Sequence, residues 1–142
     1  MSKIKARFFL IITAINWGTF ILLSLPFMLF ALIYDLVTTP RNSWLKCVVL
    51  LQDLAANVVQ GGHHKTYISS LLGYLKLTGS RGGTYAANIV DWIWLKVWKE
   101  DNHCIDVMKE SDVYDFSARR AIAGTIVFWL NLYLIYLGVT SL

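Results

Sequence analysis

Two long stretches of this chain carry no charged side chain. The first runs for 27 residues from Phe8 to Tyr34, and the second runs for 22 residues from Ala121 to Leu142. About 20 apolar helical residues cross the hydrocarbon core of a bilayer, so each stretch is long enough to be a transmembrane helix. A buried helix of a soluble protein rarely stays uncharged over such a length. The pattern therefore predicts two transmembrane helices.

The first stretch also needs to be distinguished from a secretory signal peptide, because the basic residues Lys3, Lys5 and Arg7 precede it. A signal peptide has an apolar core of only about 7 to 15 residues, followed by a cleavage site of small residues. The run here is longer, and the segment from Asp35 to Pro40 lacks the small-x-small pattern. We therefore expect an uncleaved transmembrane helix over residues 8–34, preceded by a basic tail over residues 1–7.

The region between the two stretches, residues 35–120, has the spacing of short helices separated by glycine-containing turns. The predicted helices run from Ser43 to Gln60, from Thr66 to Leu77 and from Thr84 to Lys99. Lys46 and Asp53 would each be costly at mid-bilayer, so we expect the first of these helices to pack on the membrane surface or on its neighbours. A third transmembrane span over Ser43 to Gln60 remains the alternative.

These elements predict an all-α integral membrane protein. Two antiparallel transmembrane helices, residues 8–34 and 121–142, would bracket membrane-proximal or interfacial helices in residues 35–120. The composition agrees, because 56% of the 142 residues are hydrophobic and only 15% are charged, which is more apolar than an ordinary soluble domain. The lipid bilayer is therefore the first predicted partner.

The last of the short predicted helices is rich in tryptophan. Trp92, Trp94 and Trp98 alternate with Lys96 and Lys99. Indole rings favour the headgroup layer of a membrane, where lysine side chains can also extend into water. This pattern predicts a helix that lies in the membrane interface. The alternative is that the three tryptophans form the core of a compact helical region.

The charge distribution gives two conflicting indications of orientation. Lys3, Lys5 and Arg7 favour a cytoplasmic N-terminus, whereas a larger set favours a cytoplasmic central region, namely Arg41, Lys46, Lys109, Arg119 and Arg120. With two spans, the larger set favours the cytoplasmic central region. Two spans cannot satisfy both, although a third span would. The net charge of +4 suits attraction to anionic lipid. Acidic residues are interleaved with the basic ones, so the sequence does not favour nucleic acid as a partner.

Few residues are candidates for chemistry. His63, His64, His103 and Cys104 are weak candidates for a zinc site, since no pair of them has the usual ligand spacing. Loop and capping roles are the simpler interpretation for the histidines. No cofactor or catalytic residue is predicted, and a non-enzymatic role is favoured.

Two further motifs have an alternative interpretation. Ser69 and Ser70 could form a triad with a histidine and an aspartate, but no Gly-x-Ser-x-Gly motif surrounds them. The turn from Gly79 to Gly83 contains Arg81 and could bind an anion through its backbone, yet no Gly-Lys-Ser/Thr sequence follows it. A flexible hinge is the interpretation that the sequence favours for this turn.

A set of residues in the middle of the chain resembles the pattern of a known family. The pattern covers roughly residues 50–112 and consists of Asp53, Asn57, Gly61-Gly62, Ile68-Ser69-Ser70, Gly73, Asp91-Trp92 and Asn102-His103-Cys104. It is similar to that of small, poorly characterised, membrane-associated proteins of tailed bacteriophages. The chain differs from the family pattern at His63-His64, Tyr67 and Leu71. The resemblance implies a viral origin and a location in the bacterial host inner membrane.

Three classes of function follow from the sequence and this resemblance. The first is a phage-encoded inner-membrane protein that binds or modifies a host membrane component, as in superinfection exclusion, host take-over or control of lysis. The second is a virion component that enters the envelope during DNA delivery. The third is a small membrane enzyme or metal protein that uses His103 and Cys104. The first requires no catalytic residues and is favoured.

Amide side chains inside both predicted spans indicate self-association. Asn16 and Asn131 would each need a hydrogen-bond partner in hydrocarbon, and on two antiparallel helices they would lie at different depths. In a contact between two copies of the chain, the two Asn16 side chains, or the two Asn131 side chains, would lie at the same depth in the bilayer. Gly18 lies close to Asn16 and allows close helix approach. The sequence therefore predicts a homo-oligomer with helix–helix contacts near Asn16, Gly18 and Asn131.

Overall fold

The chain is described by a computed structural model that covers residues 1–38, 43–63, 66–109 and 116–141. All regular structure in these ranges is α-helical, which confirms the predicted all-α class. The helices are α1 (Lys3–Val37), α2 (Trp44–Val59), α3 (Ile68–Leu77), α4 (Arg81–Trp98), α5 (His103–Lys109) and α6 (Ala118–Thr140). Two of them, α1 and α6, are long and apolar enough to cross a membrane.

Serine side chains set the starts of four helices by accepting a hydrogen bond from a backbone N–H of the first turn. The N-cap residues are Ser2, Ser43, Ser80 and Ser117. The cap at Ser2 makes the predicted basic tail the first turns of α1. The cap at Ser80 starts α4 at Arg81, so the predicted hinge up to Gly83 is largely helical.

The apolar side chains of α1 and α6 face outwards. In the most apolar 18-residue window of α1, only 6% of the residues are buried inside the protein. In the corresponding window of α6, 0% are buried. A core helix of a soluble protein would instead have most of these residues buried. The two helices therefore present a large apolar surface that the rest of the described chain does not cover.

α1 and α6 run in the same direction, which corrects the prediction of two antiparallel spans. Phe9 contacts Phe116 just before α6, with 5.1 Å between ring centroids, and Phe20 stacks on Phe128 at 5.0 Å. Residue numbers therefore rise together along both helices. The antiparallel arrangement followed from the assumption that the two helices are consecutive membrane crossings, which must run in opposite directions.

α2 provides the return between these parallel helices. It starts beside the end of α1, where the Asp35 carboxylate accepts hydrogen bonds from the N–H groups of Trp44 and Leu45, both at 2.9 Å. It ends beside the start of α1, where Thr13 donates to Gln60 at 3.3 Å. α2 is therefore antiparallel to α1 and lies along most of its length.

Aromatic and glycine contacts hold these three helices together. The Trp44 ring makes edge contacts with Phe27, Phe30 and Tyr34 of α1, at centroid distances of 5.3 to 5.5 Å. At the other end of α2, Gly124 of α6 lies so close to the Val59 carbonyl oxygen that no side chain fits between them. Glycine is required at position 124 for this approach of α6 to α2.

α3, α4 and α5 pack together and against α1, and α4 reaches from the start of α1, at Gly82, to Ser43 before α2, at Trp98. Their shared core contains apolar side chains from all four helices, namely Phe9, Ile68, Leu71, Leu72, Leu75, Ala87, Val90, Trp94 and Cys104. α3 and α4 form a hairpin whose turn lies beside the start of α1, since Gly82 is next to Leu10. The described chain thus forms a helical bundle whose interior contains a polar cluster around Asp53 and Asp91.

Candidate functional site

Asp53 is at the centre of the buried polar cluster. It projects from α2 and is almost fully buried. Its carboxylate accepts hydrogen bonds from the Ile68 N–H at 2.7 Å and from the Ser69 N–H, and the Ser69 hydroxyl donates to it at 2.6 Å. These N–H groups belong to the first turn of α3, which has no side-chain cap of its own. Asp53 therefore caps α3 from a neighbouring helix.

Asn57 lies one helical turn further along α2 and holds the loop that joins α2 to α3. Its side-chain amide donates to the carbonyl oxygens of His63, at 3.0 Å, and Thr66. Gly62 lies directly against this side chain, and a Cβ at position 62 would overlap the amide. The spacing Asp53-x-x-x-Asn57 thus places both polar groups on one face of α2, and this face contacts the start of α3 and the α2–α3 loop.

Asp91 plays a similar part for α5. Its Oδ1 accepts a hydrogen bond from the Cys104 N–H at 2.8 Å, and its Oδ2 pairs with Lys76 at 2.8 Å. One carboxylate therefore connects α3, α4 and α5. Both ends of the ion pair are largely buried, so removing one partner would leave the other uncompensated.

Gly73 allows α5 to contact α3. A Cβ at this position would overlap the Cys104 carbonyl oxygen. With glycine there, the backbone of α5 lies directly on α3, close to Asp91. Gly73 is therefore required by packing and not by backbone conformation.

Several residues of the pattern singled out between positions 50 and 112 thus lie close together in space. Asp53 and Asn57 hold the start of α3 and its loop, Asp91 accepts from the Cys104 N–H, and Gly73 lies against the Cys104 carbonyl oxygen. The geometry gives each polar member a defined hydrogen-bonding role in joining helices. We conclude that the pattern encodes the assembly of α2 to α5, which sequence spacing alone did not reveal.

His103 and Cys104 have environments that oppose reactivity. Burial, with the carboxylate of Asp91 nearby, raises the pKa of the Cys104 thiol, so the thiol stays protonated at neutral pH. Burial lowers the pKa of His103 despite the nearby carboxylate of Glu100, and its ring stacks on Trp94 with a centroid distance of 3.7 Å. A neutral, stacked imidazole and a buried thiol serve packing in this arrangement.

The candidate zinc ligands do not come together within the described residues. Among the described residues, no group of three or more histidine, cysteine or acidic side chains is arranged to hold a metal ion. His63 lies in the α2–α3 loop, where its carbonyl oxygen accepts from Asn57. His64 lies outside the described residues.

The position of Trp94 corrects part of the interface prediction. Trp94 is only 3% exposed, because its ring is covered by His103, by Trp98 at 4.4 Å and by the ammonium group of Lys46. A tryptophan in this position cannot contact lipid headgroups. The amphipathic character of indole suits a protein core as well as a membrane interface, so the sequence pattern did not distinguish them.

The other members of the predicted interface differ in exposure. Trp98 is partly buried, and its Nε1 donates to the Ser43 hydroxyl at 2.9 Å. Trp92 is 60% exposed, and Lys96 and Lys99 are also exposed. These three side chains remain able to contact a membrane or a partner, and their location at an interface remains a prediction.

Asn16 has its hydrogen-bond partner within the chain. It is fully buried, and its amide donates to the Thr125 hydroxyl of α6 at 2.9 Å. Asn131 is exposed and donates to the Val127 carbonyl oxygen of its own helix, and no neighbour lies within 4 Å of a Cβ built at Gly18. The Asn16 Oδ1, in contrast, is buried without a hydrogen-bond partner among the described residues. Because the whole side chain is buried within the chain, a second copy cannot contact Asn16, and this residue does not support the predicted oligomer. Self-association itself remains a prediction.

We expect Asn16 and Thr125 to stabilise the bundle jointly. Asn16→Leu and Thr125→Val should each lower stability in detergent micelles, and their double-mutant cycle should give a coupling of roughly 0.6 to 2 kcal/mol, typical of interhelical hydrogen bonds. Asn131→Leu is the matched control and should leave stability unchanged. A coupling near zero, or a loss of self-association caused by Asn16→Leu alone, would contradict the intrachain contact.

Comparison with protein-family models, with curated proteins and with solved structures finds no match for this chain.

Proposed function

We propose that this chain is an integral membrane protein that crosses the bilayer three times and acts by binding another membrane component. The observation that carries the proposal is the exposure of the apolar side chains along α1 and α6. Water would be a poor solvent for two adjacent helices of this kind, whereas the acyl chains of a bilayer would cover them. Lipid is therefore their natural environment.

The parallel arrangement of α1 and α6 supports α2 as the third crossing. If both helices span the membrane in the same direction, the chain must return once between them. α2 contains 16 residues and is about 24 Å long at 1.5 Å per residue, which is short but close to a bilayer core. Its polar residues Gln52, Asp53, Asn57 and Gln60 are buried in the bundle, which reduces their cost in a membrane.

This topology also places the basic residues before α1 and those at the start of α6 on one side of the membrane. Phe9 contacts Phe116, so the start of α1 and the start of α6 lie at the same end of the bundle. Lys3, Lys5 and Arg7 are therefore at the same end as Arg119 and Arg120. The positive-inside rule then favours a cytoplasmic location for this end. The end of α6 would lie on the opposite side of the membrane.

A binding role is supported by the fact that the buried polar groups already hold the helices together. The buried carboxylates of Asp53 and Asp91 are engaged in capping α3 and α5, and the Cys104 thiol is protonated and buried. In contrast, α4 presents an exposed apolar face that includes Tyr85, Ile89 and Trp92. This face offers contact area to another membrane protein. The resemblance to phage proteins makes a component of the host inner membrane the partner we favour, with superinfection exclusion, host take-over or lysis control as the outcome.

Membrane insertion has a direct test. The full chain, expressed in bacteria, should stay in the membrane fraction after extraction at alkaline pH. Only the bilayer shields the exposed apolar surface of α1 and α6 from water. A peripheral membrane protein of the same cells should be released and serves as the control. Release of this chain together with the control would contradict the proposal.

Binding is tested by site-specific photo-crosslinking in infected cells. A photoreactive phenylalanine derivative at Trp92 should form a discrete adduct with a membrane protein, because this side chain is exposed on the apolar face of α4. The same derivative at Asp106, which is exposed on α5, is the control and should give no such adduct. Adducts with lipid alone at Trp92 would contradict the proposed protein partner.

A further inference from the structure

A cavity of about 710 Å³ lies at the end of the bundle where α1 begins. Its walls come from two parts of the chain that are distant in sequence. α1 contributes Lys3, Arg7 and Leu10, and the turn between α3 and α4 contributes Ser80, Arg81 and Gly82. The cavity is separate from the buried polar cluster around Asp53 and Asp91.

The cavity is positively charged. Lys3 and Arg7 lie one helical turn apart on α1, and Arg81 reaches the cavity from the opposite wall. None of the lining residues is acidic. In the described part of the chain, the ion pairs involve Lys46, Lys76 and Lys109, so none of the three cavity cations is neutralised by a carboxylate. Three unneutralised cations around one cavity favour an anion as its occupant.

The backbone of the turn adds to this preference. The 18-residue helix α4 begins at Arg81, and the Ser80 hydroxyl accepts from the Gly83 N–H. The first N–H groups of a helix carry a partial positive charge. Gly82 has no side chain, and a Cβ there would come within 2.9 Å of Leu10. Glycine at this position therefore keeps the backbone wall of the cavity accessible.

Apolar side chains continue from the cavity along α1. Ile4, Phe8 and Ile11 are exposed on the neighbouring face of the helix, next to Lys3 and Arg7. A ligand that fits both surfaces has an anionic group for the cavity and hydrocarbon chains for the helix face. Inorganic phosphate would satisfy only the first requirement.

We propose that this cavity binds the phosphate-bearing headgroup of an anionic phospholipid. The proposal rests on the membrane location proposed above, which places the start of α1 and the α3–α4 turn at the cytoplasmic surface. Lys3, Arg7 and Arg81 contact the phosphate, and the acyl chains lie along Ile4, Phe8 and Ile11. The glycine-rich turn is then part of a lipid site and not only a connection between helices.

The test is a titration of the full chain, purified in an uncharged detergent, with short-chain phosphatidylglycerol, and the readout is the melting temperature. Short-chain phosphatidylcholine and inorganic phosphate form the other two arms. We expect phosphatidylglycerol to bind most tightly. Arg81→Gln should weaken its binding about fivefold, equivalent to roughly 1 kcal/mol per cation near an anionic lipid. The triple variant Lys3→Gln, Arg7→Gln, Arg81→Gln should lose on the order of a hundredfold.

Lys5→Gln is the matched control, because Lys5 has the same charge, lies on the same helix and does not line the cavity. It should bind phosphatidylglycerol like the wild type. An equal loss in Lys5→Gln, wild-type binding by the triple variant, or equally tight binding of inorganic phosphate would overturn the lipid site. Resistance of the chain to alkaline extraction is measured in parallel. A resistant chain without phosphatidylglycerol binding overturns only the lipid site, whereas loss of resistance overturns the proposed membrane location.

Discussion

Asp53→Ala is expected to lower the stability of the folded chain by about 3 to 5 kcal/mol. The substitution leaves the N–H groups of Ile68 and Ser69 and the Ser69 hydroxyl without their acceptor inside the bundle, and each unsatisfied buried group costs about 1 to 3 kcal/mol. Loss of the cap should also loosen α3 and its contact with α5. The measurement is equilibrium unfolding in detergent micelles, followed by circular dichroism.

Two control variants show whether this effect comes from the cap. Asp53→Asn keeps one acceptor oxygen in nearly the same volume and should lose less stability than Asp53→Ala. Asp106→Ala removes an exposed carboxylate from α5 and should change stability by less than about 0.5 kcal/mol. If Asp53→Ala were no more destabilising than Asp106→Ala, Asp53 would not be the cap of α3.

Gly73→Leu is expected to separate α5 from α3 and to destabilise the chain by about 3 kcal/mol. The new Cβ alone would overlap the carbonyl oxygen of Cys104, and backbone cannot move aside as a flexible side chain can. Displacement of α5 should also expose the Cys104 thiol, which is fully buried in the wild type. The rate at which Cys104 reacts with a thiol reagent therefore provides a second measurement, made with Cys47 replaced by serine.

Gly18→Leu is the matched control for this substitution. It also lies within a helix, but a Cβ at this position meets no atom within 4 Å. We expect unchanged or slightly higher stability, because leucine is a better helix former than glycine. Fast labelling of Cys104 in Gly18→Leu, or slow labelling in Gly73→Leu, would show that Gly73 does not control the contact between α3 and α5.

The helices themselves were largely predictable from the sequence. The uncharged stretches identified α1 and α6, because the length of an uncharged apolar run is a local property. Ser43 and the Gly61-Gly62 turn also placed the limits of α2 within one or two residues. α5 was not predicted, because a seven-residue helix in an acidic segment has no distinctive periodicity.

The arrangement of the helices could not be predicted in the same way. The direction of α6 depends on contacts such as those of Asn16 with Thr125 and Phe20 with Phe128, which join residues more than 100 positions apart. The conflicting charge pattern was the best argument in the sequence for the third crossing that we propose, but the cost of Lys46 and Asp53 in a membrane outweighed it. That cost is reduced by partners, Glu100 for Lys46 and the start of α3 for Asp53. These partners are properties of the fold.

The buried polar cluster was not predicted as a site, although its residues stand in the sequence pattern between positions 50 and 112. That pattern contains Asp53, Asn57, Gly73 and Asp91, which the structure places in or beside the polar cluster. Their roles as caps and close contacts depend on how α2, α3 and α5 meet. The same limit applies to Trp94, because a tryptophan beside lysines suits a headgroup layer or a core that contains Lys46 and His103.

The central claim is that α1 and α6 cross the membrane in the same direction. Single cysteines at Ser2 and Ser141, in a chain whose Cys47 and Cys104 are replaced by serine and alanine, test it in whole cells with a membrane-impermeant thiol reagent. We predict that the cysteine at position 141 reacts from outside the inner membrane and that the one at position 2 reacts only after the membrane is permeabilised. Labelling of both positions from the same side would contradict the three-crossing topology and would support two antiparallel spans.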